Sequence, residues 1–138
     1  MNVDWDEFAD RYAQLVSVEH ANRDTINKLL GLAASKLPRD TAATLVWFDS
    51  ALSTTSKKWF VAGVMRYANP VPRSLLDPLL TAALKEPNPS ANQVFITPCI
   101  RTFGHQTVEA RIRELASAPE ANYGDGLPNA MYWITGNR

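Results

Sequence analysis

The residues in this chain whose types and spacing could do chemistry are two arginines, Arg66 and Arg101, set 35 positions apart. Lys58 and Gln93 keep the same interval. Residues four apart share a helix face, so 58, 62 and 66 would form one row and 93, 97 and 101 another. Such rows would bind a partner's carboxylates, with Tyr132 extending them in a third segment. Alternatively, each arginine serves the carbonyl end of its own helix and pairs with a nearby carboxylate. Other candidates point away from bond chemistry. Cys99 is the single cysteine, which excludes an intramolecular disulfide and a cysteine-rich zinc site. It could act as a nucleophile only with His105 folded back beside it. His20 and His105 form no His-Glu-x-x-His pattern, so no metal site is expected. Asp49 and Asp77 are candidate inward carboxylates, but no pair of acids has a spacing suited to acid–base work. Gly124-Asp125-Gly126 reads as a turn, and there is no phosphate-binding loop. No catalytic residue and no cofactor are expected.

Four tryptophans, Trp5, Trp47, Trp59 and Trp133, are dense for 138 residues. They could form an aromatic cage or a base-stacking platform. At helical spacing among leucines, the expected role is core packing. Lys+Arg and Asp+Glu both number 14, giving zero formal net charge. That balance argues against a dedicated nucleic-acid binder, whose affinity comes from neutralising phosphates. The acidic start, Met1 to Glu7, does not read as a signal peptide, and no apolar run approaches a membrane span. A cytoplasmic protein is expected.

The elements that would position these residues are all helical. Eight segments show period near 3.6, and none alternates as a strand does. Asp4 with Glu7 makes a capping box before Trp5, Phe8, Tyr12, Leu15 and Val16. Asn22 or Asp24 caps a second helix through Ile26, Leu29, Leu30, Ala33 and Leu37. Pro38 opens a third, whose run from Leu45 to Leu52 is apolar on most sides and is expected at the centre. Ser56 caps a fourth through Trp59, Phe60, Val64 and Tyr67. The fifth holds Leu75 to Leu84, with Pro78 either kinking it or restarting it behind Asp77. Pro87-Asn88-Pro89-Ser90 is the clearest turn. The sixth helix runs from Val94 to Phe103, bent at Pro98 and capped by Gly104. The seventh carries Val108, Ile112 and Leu115. After a loop over 118–127, the eighth begins near Pro128.

Phe60 aligns with Phe95 as Arg66 does with Arg101, and a weaker third copy covers Asn129 to Ile134. A period near 35 points to stacked helical hairpins. The stretch Leu75 to Leu84, then Asn88-Pro89-Ser90, then Val94 to Gly104, resembles HEAT-like, more loosely armadillo-like, repeat proteins. The resemblance covers about residue 40 to the C-terminus. It implies a short α-solenoid of about four antiparallel helix pairs whose second helices line a partner-binding surface. It carries over no catalytic residue. Where the family opens its second helix with Asp-x-x-Val-Arg, this chain reads Ala91-Asn92-Gln93-Val94-Phe95, so the usual polar ladder between repeats is not implied.

The expected organisation is a single domain over 1–138, with a divergent N-terminal hairpin over 1–37 and HEAT-like hairpins over 38–138. The expected function is a non-catalytic interaction module, with Lys58, Arg66, Gln93, Arg101 and Tyr132 contacting another protein. A regulatory or immunity-type protein that blocks one enzyme would use the same scaffold. A HEAT-like nucleic-acid binder or DNA glycosylase is a further class. Met131, Trp133 and Ile134 lie on the last apolar helix of the stack and could form a symmetric homodimer. The competing arrangement folds the 118–127 loop back over Trp133.

Overall fold

The computed structural model describes residues 3–18, 22–37, 45–118 and 123–135, and all regular structure among them is helical. No described helix is long and apolar enough to cross a membrane. The chain forms two compact units, Met1–Asn69 and Pro70–Arg138.

The first unit contains α1 (Trp5–Ser17), α2 (Arg23–Ser35), α3 (Val46–Leu52) and α4 (Lys58–Tyr67). Asp4 Oδ1 accepts the Glu7 N–H at 3.0 Å, and Asn22 Oδ1 accepts from Asp24 and Thr25 at 2.9 and 3.3 Å. Each cap satisfies donors that the first helical turn leaves open. The expected opening of α3 at Pro38 lies outside the described residues, as does His20. Ser56 does not cap α4. The amides of Lys57 and Lys58 instead bond back to the Thr54 carbonyl, so a backbone turn leads into the helix.

The central helix is α4 and not α3. Phe60, Val61, Ala62, Val64 and Met65 are all buried, and α4 packs against α1, α2 and α3. With seven residues, α3 has one side to bury. Phe48, Ala51 and Leu52 take it, while Val46 stays 61% exposed. Phe60 lies within 6.5 Å of the rings of Phe8, Tyr12 and Trp47, and Trp5 meets Phe48 edge-on at 4.7 Å. Trp5 and Trp47 are thus packing residues. The Trp47 indole N–H and the Lys57 ammonium both donate to Asp6 Oδ1, at 2.9 and 3.0 Å. These two donors hold the Asp6 carboxyl below the usual carboxylate range.

The second unit contains a short 3₁₀ turn (Arg73–Leu75), α5 (Leu76–Lys85), α6 (Gln93–Phe103), α7 (His105–Ala116) and α8 (Gly126–Thr135). Each of its four α-helices packs on the other three. Pro78 neither kinks α5 nor restarts it. It occupies the third helical position, where an N–H would have no partner within the helix. Gly104 ends α6 and immediately precedes α7. Its φ of 88° and ψ of 157° belong to a region open essentially to glycine alone, so the chain turns between two helices on one residue. α8 begins at Gly126, two residues before the expected start. Gly126 is buried against the Leu84 carbonyl at the end of α5.

Candidate functional site

The Pro87–Ser90 turn is built from local side-chain bonds. Glu86 Oε1 accepts the Asn88 N–H at 3.3 Å, and Asn88 Oδ1 accepts the Ser90 N–H at 2.9 Å. Asx bonding of this kind replaces the backbone partners that prolines deny. The turn delivers the Pro89 carbonyl and the wholly buried Asn92 to α8. The Trp133 indole N–H donates to both, at 3.0 Å to Pro89 O and 2.7 Å to Asn92 Oδ1. Trp133 is therefore fixed at its edge, because the indole has one donor and both acceptors sit on the opposite wall. Asn92 Nδ2 is buried and has no hydrogen-bond partner.

Between this turn and α8 lies a groove of about 470 Å³, lined by Pro89, Ser90, Pro128, Asn129, Tyr132 and Trp133. The Tyr132 ring stands nearly perpendicular to Trp133, at 87° and 4.9 Å between centroids, and the residue is 56% exposed. None of the six lining residues carries a charge. The groove thus presents two aromatic planes, two prolines, two hydroxyls and one side-chain amide.

Gln93, Thr97 and Arg101 lie along one exposed face of α6. The matching row on α4 is interrupted, because Ala62 is buried between half-buried Lys58 and exposed Arg66. The Lys58 ammonium sits 4.9 Å from the Trp59 ring centroid, and the Arg66 guanidinium 5.8 Å from that of Tyr67. On α8, Ile134 turns into the core, Met131 is half-buried, and Trp133 is held by the Pro89 turn.

Cys99 is buried, its thiol donates to the Phe95 carbonyl at 3.5 Å, and burial pushes it up to about 12. A thiol so raised is a poor nucleophile at neutral pH. Asp49 is exposed on α3 and not inward. Asp77 is clasped by Arg111, a residue that the sequence did not single out. Arg111 Nε and Nη2 each reach one carboxylate oxygen at 2.7 Å, and Nη1 reaches Glu114 at 2.9 Å. The fork ties α5 to α7, and the Arg111 hydrogen bonds hold the Asp77 carboxyl below its ordinary range. A carboxyl depressed by folding stabilises fully above its unfolded value, and that contribution is lost as pH falls through the folded one. Resistance of the chain to urea is therefore expected to weaken below about pH 4. Asp77→Asn is expected to lower stability at pH 7 and to flatten this acid limb. An acid limb identical to wild type would assign it to other carboxylates.

Among the described residues, no group of three or more His, Cys, Asp or Glu side chains is placed to hold a metal ion. Set against protein-family models, curated proteins and solved structures, the chain matches none.

Proposed function

We propose that this chain is a non-catalytic cytoplasmic binding module built from stacked helical hairpins, and that it engages a protein partner through the groove between the Pro87–Ser90 turn and α8. The observation that carries this reading is the fixed aromatic pair. A tryptophan anchored by two hydrogen bonds beside an exposed tyrosine is a preorganised contact surface, and such surfaces lose little conformational freedom on binding. Tyr and Trp are also the residue types in which binding energy concentrates.

Burial at the repeat interval supports the hairpin reading. Positions 60, 95 and 130 are each 0% exposed, and positions 64, 99 and 134 are at most 2% exposed. Each set is spaced by 35, which places an i, i+4 buried pair on α4, α6 and α8 in turn. Consecutive pairs α1–α2, α3–α4, α5–α6 and α7–α8 are each packed together, as hairpins require.

The test is site-specific photocrosslinking in the native host, with a benzophenone side chain at position 132. A discrete adduct, identified by mass spectrometry and missing when the probe is placed at exposed Gln106 on α7, is the expected result. Equal or no labelling at the two positions would remove the groove as the working surface.

A further inference from the structure

Resting on the reading of this groove as a binding surface, we infer that its ligand is a proline-rich segment in the polyproline II conformation. Three features of the groove converge on that chemistry.

The first is charge. No lining residue is an Asp, Glu, Lys, Arg or His, so neither an acidic nor a basic segment would find a counter-charge there. Burying an unpaired charge is costly, which selects an electrically neutral ligand.

The second is the direction of hydrogen bonding. A polyproline II segment has no internal hydrogen bonds, and its prolines have carbonyls but no N–H. Its backbone is therefore chiefly an acceptor. The hydroxyls of Ser90 and Tyr132 and the amide of Asn129, which accept as well as donate, can each supply a donor to such carbonyls. A ligand adding as a strand would need a sheet edge, and every described element here is helical.

The third is shape. The perpendicular rings of Tyr132 and Trp133 leave an angular recess flanked by Pro89 and Pro128. Stiff pyrrolidine rings fill such recesses at small entropic cost, which is how aromatic-lined grooves recognise proline-rich chains. The anchored indole edge complements this. Trp133 can contribute ring surface but no donor, since its N–H is already committed to Pro89 and Asn92.

The experiment titrates decaproline into the nitrogen-15-labelled 138-residue chain and follows backbone and indole signals. A glycine–serine peptide of equal length and maltohexaose serve as comparison ligands. Saturable shifts confined to residues 89–93 and 128–134 are expected with decaproline alone. Tyr132→Ala is expected to weaken binding about tenfold or more. Because Tyr132 is exposed, an unchanged melting temperature would show the variant to be folded. Affinity is expected to hold between low and high salt, since no ion pair contributes. Absence of saturable shifts at millimolar decaproline, equal response to the glycine–serine peptide, or saturation by maltohexaose instead would each overturn the proposal. If position 132 still crosslinks to a discrete protein while decaproline fails, the ligand class falls and the binding surface stands. If both fail, both readings fall.

Discussion

Truncation of Phe60 to alanine is expected to lower the unfolding free energy by about 3–5 kcal/mol, the range for removing a buried aromatic ring. Phe60 is 0% exposed and contacts rings contributed by α1 and α3 from its place on α4. Collapse around the cavity is limited because those neighbours are themselves tied. Trp47 is held at its edge by Asp6, and the Phe8 ring lies against Trp5, tilted by 34° at 5.6 Å between centroids. A stability of that size is a large share of what a small domain possesses. The measurement is urea unfolding followed by circular dichroism. A loss below about 1 kcal/mol would mean that the ring is not enclosed as described.

Gly126→Ala is the second large effect. A Cβ at this position would overlap the Leu84 carbonyl oxygen and come within 3.1 Å of Tyr123 Cβ. The obstacle is backbone, so no rotamer change relieves it, and α8 must move off α5. Overpacking of this kind costs about 3 kcal/mol at the upper end of its usual range. The displaced helix carries Trp133, so the indole N–H signal is expected to shift as the bonds to Pro89 and Asn92 lengthen. Gly31→Ala is the matching control. It lies within α2 with no neighbouring atom within 4 Å of the added methyl, and is expected to gain about 0.5–1 kcal/mol. Equal behaviour of the two variants in urea would refute the close approach at Gly126.

Much of the helical framework was legible because its signals are local. The Asp4 and Asn22 caps, the glycine ending α6 and the Pro87–Ser90 turn each act within a few residues. The expected central place of α3 fails for a physical reason. Composition reports how apolar a segment is, whereas centrality depends on how many neighbours it touches, and a seven-residue helix offers too little length. The groove was legible only in part. Tyr132 and Trp133 stood out by type, but the bond from Trp133 to Pro89 spans 44 positions. The Asp77–Arg111 fork spans 34. Pairings at that range are decided by packing, and neither partner carries a local mark of the other. In sequence Asn92 marks only a departure from the HEAT-like pattern, whereas in the fold it is the buried acceptor for the Trp133 indole on α8.

The division of tryptophans between the units has a spectroscopic consequence. Trp5, Trp47 and Trp59 belong to the first unit, and Trp133 stands alone in the second. Ultraviolet emission from the whole chain is thus weighted toward the first unit, and a melt read that way would under-report events around α8. The proton on the Trp133 indole supplies the missing channel. Shared between two acceptors, it trades with deuterated solvent when the bonds to Pro89 and Asn92 open. Its exchange rate is a built-in clock for how often the groove comes apart.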